Sequence, residues 1–402
     1  MRTADGMTPP PVRVLVAIPT PQIFGLQKVT LAIFGRLRAS VDAHFLVSRW
    51  GDGAFGREVR RLGFETTESW FGMFSRRLDW ANLRMTAECL WRLPMLWVDT
   101  IRLARRCRPA ALFVANYHEL ILLRPILRVL GMPVICHMHD PPPNIPFQRA
   151  SFFLWGRAVT VFVAVSESVR DRLLRFKVDP RRVLVVNNGI DLTQFPRRES
   201  RTGRFTRRFK WPEDVFIAGI VGQMHDRKGH LDLLEALDRL RDRVPYLRVV
   251  IGGKAGGAYY EQLVACVSER GLKDRVGFCG WMDHARDFYE GIDAFVLASR
   301  HEEGFGLVLA EAMAVGVPVI ATRSGGAVNV VEDGVSGLLV DRCAPEQIAE
   351  ALQRLCGDAA LRERLVAGGR ARVETEFNLD RQAEKLLAVL QGTAARVRGS
   401  GC

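Results

Sequence analysis

Short β-branched apolar runs alternate with helical stretches along nearly the whole chain, and that alternation leaves little choice of fold. In the second half the runs are 216–221, 247–251, 276–278, 294–298, 318–321 and 337–340. Between them lie patterns such as 230–244, where Leu231, Leu234, Leu237 and Leu240 share one helical face. The first half repeats the scheme with runs at 12–18, 43–47, 111–114, 134–137, 160–165 and 183–186. Strands separated by helices of this length pair in parallel and are covered on both faces. A chain of 402 residues also exceeds what one hydrophobic core supports, so two doubly wound α/β domains are expected. The segment 196–212, PRRESRTGRFTRRFKWP, is polar, basic and bounded by prolines, which reads as a linker. The expected division is 1–196, a linker 197–212, a second domain 213–376, and a final helix in 377–402 returning to the first domain. Open α/β sheets bind ligands at the carboxyl ends of their strands, so two such domains are expected to face a cleft.

The net charge of +13 is unevenly spread. Residues 1–210 hold 34 Lys and Arg against 16 Asp and Glu, whereas 211–402 hold 23 against 28. Within the basic half, 69–109 mixes Trp70, Phe71, Phe74, Trp80, Trp91 and Trp97 with arginines. That composition suits a helix lying on an anionic membrane surface, and equally a helix hairpin packed on its own domain. No nucleic-acid motif accompanies the charge, so nucleic acid is not an expected partner. The longest apolar stretches, 89–101 and 152–165, are broken by Arg92, Pro94, Asp99 or Arg157 and fall short of the roughly 18–20 residues of a spanning helix. The first twenty residues carry no apolar run of signal-peptide length ahead of the first strand. Eight scattered cysteines form no Cys-x-x-Cys pair, and no histidines cluster at metal-ligand spacing. Reduced thiols, a cytoplasmic location at the inner face of the membrane, and no metal site or cofactor are the expectations.

The densest chemistry lies in 301–313, HEEGFGLVLAEAM. Glu303 and Glu311 stand eight positions apart across Gly304 and Gly306, where a loop opens into a helix. The glycines let the backbone approach a ligand, and the free N–H groups at the helix start favour phosphate. Two carboxylates so placed accept hydrogen bonds from paired hydroxyls, as on a sugar ring or a ribose. Together these describe a nucleotide-sugar site, with Glu302 as a rim charge. The loop 252–257, GGKAGG, follows a strand but lacks both the Gly-x-Gly-x-x-Gly and the Walker spacing.

Several short motifs in one order give the second half a more specific character. Gly222-Gln223-Met224-His225-Asp226-Arg227-Lys228-Gly229 is followed by Val276-Gly277-Phe278-Cys279-Gly280-Trp281-Met282, then the paired glutamates. Gly316-Val317-Pro318-Val319, Ser324-Gly325-Gly326, Asp333-Gly334 and Gly337 complete the series. This half strongly resembles the retaining GT-B glycosyltransferases of group 1, or family 4, type. In the first half Ser166-Glu167-Ser168, Asn187-Asn188-Gly189-Ile190-Asp191 and Phe195 resemble the family's domain-closing segment, and His137-Met138-His139-Asp140-Pro141 ends a strand where the family places a histidine facing the donor sugar.

The resemblance implies two Rossmann-like domains and a hexose-type sugar moved, with retention and without a metal, from a nucleotide-diphosphate sugar to a hydroxyl acceptor. It implies catalytic roles for Glu303, His139 and Lys228. Donor contacts would come from Glu311, Lys228, Gln223, Gly304, Phe305, Gly306, Leu307 and Met282, and acceptor-side contacts from Gly25 and Gln27. An ammonium at Lys228 would neutralise the leaving diphosphate, whose developing charge opposes cleavage. The chain departs from the family pattern at Gln223, where an arginine is usual, at Asn329, where a glutamate commonly stands, and at Phe24-Gly25-Leu26-Gln27, where a glycine pair is usual. The basic, Trp-rich first half suggests a lipid-linked acceptor, as in polysaccharide assembly. A nucleotide-sugar epimerase of the same architecture, or a catalytically silent nucleotide-sugar-binding protein, are the alternative readings.

Overall fold

The computed structural model describes residues 10–72, 80–116, 118–142 and 146–399. Phe74 and the first nine residues lie outside the described residues. The chain divides into two compact units, 1–189 with 379–402, and 190–378.

The first unit is built on a seven-stranded parallel sheet of β1 (Val12–Ile18), β2 (Val41–Ser48), β3 (Glu65–Ser69), β4 (Ala111–Val114), β5 (Val134–Met138), β6 (Val161–Ala164) and β7 (Val183–Val185), in the order 3-2-1-4-5-6-7. Its inner strands are almost wholly buried apolar residues, as two covered faces require. The edge strand β3, Glu-Thr-Thr-Glu-Ser, escaped the sequence reading because it contains no apolar run. It pairs through its backbone with β2 from His44–Glu65 to Ser48–Ser69. One face of this sheet is filled by Phe34, Phe45, Phe55, Phe64 and Phe113, packed edge-on or tilted at centroid separations of 5.1–6.4 Å. The helix Leu379–Gly399 belongs to this unit and packs on the helix Gly25–Arg36, burying Leu386 and Leu390.

The second unit carries a six-stranded parallel sheet of β8 (Phe216–Val221), β9 (Leu247–Gly252), β10 (Val276–Gly280), β11 (Ala294–Leu297), β12 (Val319–Thr322) and β13 (Leu338–Val340), in the order 10-9-8-11-12-13. The strand order reverses direction between β8 and β11, a switch point at which two successive loops diverge and leave a crevice. The helix expected over 230–244 is His230–Arg239, shorter than the periodicity suggested, although Leu240 and Val244 beyond it remain buried.

The expected linker 197–212 is instead folded into the second unit. Its residues 204–209 form a helix whose Phe205 is fully buried against Phe288, and the Arg198 guanidinium donates to the Tyr289 carbonyl at 2.9 Å. Prolines and arginines made the segment look solvated, while its buried phenylalanine and a carbonyl-bound arginine tie it down. Among the described residues no helix is long and apolar enough to cross a membrane, and the seven described cysteines are free.

Candidate functional site

The loop after β8 closes into a single 3-10 turn, Asp226–Lys228, because the His225 ring accepts the Arg227 N–H at 3.2 Å and Gly229 takes a left-handed φ of 68°. A Cβ at Gly229 would run into the Ala298 backbone, so only glycine lets this turn lie against the neighbouring loop after β11. Lys228 Nζ meets Glu303 Oε1 at 2.7 Å. The same carboxylate oxygen accepts from the Ser299 hydroxyl. Thr322, at the end of β12, donates to the Ser299 carbonyl at 2.8 Å, tying three strand ends together. The pair Lys228–Glu303 therefore stands at the carboxyl ends of β8 and β11, at the switch point, with both side chains partly buried.

The loop carrying Glu303 is clasped from behind by Gly325 and Gly326. The Gly326 N–H donates to the Glu303 carbonyl at 2.7 Å. A Cβ on Gly325 would stand 2.9 Å from the Glu303 nitrogen, and one on Gly326 2.6 Å from the Phe305 Cα. Phe305 turns inward and packs edge-on against Phe377 at 5.3 Å, so its ring anchors the loop and only its backbone faces the site. Gly306, at φ 100°, starts the helix Leu307–Val315, whose first N–H groups lack carbonyl partners within the helix.

Glu311 lies one turn further along. Its Oε2 accepts the Tyr289 hydroxyl at 2.7 Å, and burial together with this carboxylate pushes the Tyr289 phenol well above its ordinary pKa. Tyr289 thus remains a donor that holds one carboxylate oxygen in place. Met282 is half-buried with its sulfur 3.8 Å from Cys279 Sγ, and Gln223 is exposed, as is Arg227. The Asn329 carbonyl accepts from Arg372 at 2.9 Å.

Arg300 was not foreseen. Its guanidinium grips Asp232 through two bonds of 2.9 and 2.7 Å and Asp226 through one of 2.8 Å, while the Arg300 backbone N–H donates to the Arg227 carbonyl. These partners hold its pKa above the usual arginine value. The result is a rivet between the loop after β11 and the turn that presents Lys228. The aspartates lie 74 and 68 positions away, beyond the reach of any local pattern.

In the first unit the expected histidine sits in a different environment. His139 Nε2 and His137 Nδ1 share a hydrogen bond of 3.1 Å, and both rings are buried at the end of β5. Burial lowers the pKa of His137 to about 3 and that of His139 well below its ordinary value, the second also through its neighbour. Both are neutral near pH 7. Glu119, buried in the first turn of the helix His118–Leu130, accepts the Asn116 N–H at 2.6 Å, and burial raises its pKa to about 8. The spacing Asn116-x-x-Glu119 is a helix-start signature legible in the sequence but not singled out. Gly25 is exposed at the start of its helix, whereas Gln27 is 3% exposed and its side-chain oxygen accepts the Phe24 N–H at 3.0 Å. Gln27, expected on the acceptor side, uses its side-chain oxygen to cap its own helix.

Both units of the chain match known proteins. The family described as Glycosyl transferases group 1 matches residues 203–372, and Glycosyltransferase Family 4 matches 25–194. A D-inositol 3-phosphate glycosyltransferase of Xylanimonas cellulosilytica is 35% identical over 349 residues, which take in 84% of this chain and 75% of that protein. The chain belongs to the group 1 glycosyltransferases. Other curated members match over less: in a D-inositol 3-phosphate glycosyltransferase of a Nocardioides species, 34% identical, the match takes in 56% of this chain and about half, 51%, of the relative's length. Among solved members of the GT-B fold, Anabaena Alr3699/HepE in complex with UDP and glucose superposes with a TM-score of 0.80 at 18% identity, over 95% of this chain and 100% of that one. Sucrose-phosphate synthase from Thermosynechococcus elongatus gives 0.76 at 19%, over 96% and 100%. The two parallel-sheet, Rossmann-like units are the GT-B fold.

Proposed function

We propose that this group 1 member is a retaining glycosyltransferase that moves a hexose-type sugar from a nucleotide-diphosphate donor to a hydroxyl acceptor. The observation that carries the reading is the Lys228–Glu303 pair at the switch point, with Glu311 one turn into the helix behind it. The diphosphate would displace the Glu303 contact and take the Lys228 ammonium and the first N–H groups of the helix Leu307–Val315. Those groups supply the charge that the leaving phosphate needs without a metal. Glu303, released from Lys228 and still held by Ser299, would accept from the sugar hydroxyls. Glu311, with one oxygen held by Tyr289, would take the ribose diol. The anomeric C–O bond to the phosphate breaks, the acceptor oxygen bonds that carbon on the same face, and its proton passes to the departing phosphate oxygen.

The first unit would take the acceptor, with His139 supplying a neutral imidazole at the end of β5. The relatives named for an inositol phosphate support a polyhydroxylated acceptor, and the UDP-bound neighbour supports a uridine donor. The basic first half supports a lipid-linked acceptor, met at the cytoplasmic face of a membrane during polysaccharide assembly. Titration calorimetry of wild type and Glu311→Gln with UDP, GDP and ADP and their sugar conjugates tests the donor site. One nucleotide series should bind wild type and lose affinity in the variant. Equal affinity in both would remove the ribose role. Proton NMR of the product's anomeric coupling tests retention, and full activity in excess chelator tests metal independence.

A further inference from the structure

The helix Trp80–Cys107 has apolar residues on both of its faces. Its inner face buries Cys89, Leu96, Thr100 and Leu103. A helix on an ordinary protein surface turns a polar face outward. Here the outward stripe carries Trp80, Leu83, Leu90, Trp91, Met95 and Val98, all exposed, with both tryptophans at 83%. Eleven positions are three turns, so the two indoles point the same way, about 16 Å apart along the axis. The stripe then changes character: Arg102 and Arg105 continue it, exposed, with Arg106 beside them.

The aromatics that composition alone could not sort now fall into two sets. Trp70 packs against Trp50 at 5.4 Å with the Arg92 guanidinium 3.6 Å from its ring centre, Phe71 is fully buried, and the Trp97 Nε1–H donates to the Leu122 carbonyl at 2.8 Å. Those residues fasten the helix to its unit. Trp80 and Trp91 face solvent. Of the two acids on the helix, Glu88 pairs with Arg84 at 3.2 Å and Asp99 accepts from Ser69 at 2.6 Å, leaving the arginine end of the stripe strongly positive.

We propose that this outer stripe docks on an anionic lipid bilayer. The helix lies along the surface with Trp80, Leu90 and Trp91 at the headgroup–acyl boundary and Arg102 and Arg105 on lipid phosphates. Indoles favour that boundary, arginines complement its charge, and a helix apolar on its outer side cannot face water without cost. A second copy of the chain would bring the same positive half to the contact, whereas anionic headgroups neutralise it. The inference deepens the membrane-linked acceptor reading and rests on it for the choice of partner.

The test is sedimentation with vesicles of about one-third phosphatidylglycerol in phosphatidylcholine, at about 50 mM salt, without donor or acceptor. Wild type should be retained there and weakly on pure phosphatidylcholine. Trp80→Ser with Trp91→Ser should reduce partition by roughly tenfold or more, and Arg102→Gln with Arg105→Gln by roughly fivefold per arginine. Nucleotide binding, measured on the same samples, should be unchanged, which reports folding and keeps the donor reading separate. Equal retention of wild type and the tryptophan variant, or no retention of wild type, overturns the proposal. So does a concentration-dependent dimer in sedimentation equilibrium that the tryptophan variant abolishes, since the occupant would then be a second copy.

Discussion

The strand ends of β8 and β11 in the second unit hold a fixed ion pair, whereas those of β4 and β5 in the first bury groups that are neutral. At β8 and β11 an ammonium and a carboxylate are held 2.7 Å apart by a serine, two glycines and the Arg300 rivet. At β4 and β5 the buried titratable groups include a pair of neutral imidazoles and a protonated carboxyl. Fixed charge is costly to bury and is kept where a charged ligand repays it. The same chain thus prepares two electrostatic environments on two copies of one architecture.

The largest expected effect comes from removing the fixed charge. Lys228→Ala should lower kcat/KM by about 10²–10³, equivalent to ~3–4 kcal/mol, while leaving the melting temperature of the protein nearly unchanged. A loss below tenfold in steady-state transfer assays would mean that the charge at β8 is structural. Next, Glu311→Gln should weaken nucleotide affinity by about 1.5–3 kcal/mol, read by calorimetry, because a charged acceptor is lost while the Tyr289 donor keeps a partner.

A third change addresses the neutral unit. Glu119 has a folded pKa of about 8, above its unfolded value, so the stability it permits is present at acid pH and lost as pH rises from about 4.5 through 8. Glu119→Gln retains an oxygen for the Asn116 N–H and should raise stability at pH 8 by roughly 3–4 kcal/mol relative to its effect at pH 5. The histidines act in the opposite direction. His137 and His139 are depressed below their unfolded values, so their contribution is present above pH 6.5 and lost as pH falls below it, for His137 toward about 3. Melting temperatures across pH 4–9 should therefore show a narrow optimum that Glu119→Gln widens on the alkaline side only. An unchanged profile would show that Glu119 ionises freely. The smallest effect is expected of Tyr289→Phe, which frees one Glu311 oxygen and should cost about 0.5–1.5 kcal/mol in nucleotide affinity.

The sequence carried the alternation of twelve strands and the paired glutamates, because apolar runs and glycine-flanked loops are local patterns. What it did not carry is pairing at a distance. Strand β3 is polar and exists because β2 offers it a backbone edge. Arg300 finds its aspartates, and Tyr289 its glutamate, only once the sheet is assembled. The segment 197–212 looked solvated because its composition is basic, while Phe205 inside it was the residue that decided its place. Gln27 was assigned to an acceptor, and its own helix claims its oxygen.

The clasp of Gly325 and Gly326 on the Glu303 loop has a consequence for mutational scanning. In a saturation library selected only for soluble, folded protein, both positions should already return almost pure glycine, because any side chain meets backbone atoms of 303–305. Depletion there in an activity screen would then say nothing about substrate contact. Lys228 and Glu311 should tolerate many residues under the first selection and few under the second, and it is the difference between the two enrichment maps that would draw the outline of the ligand.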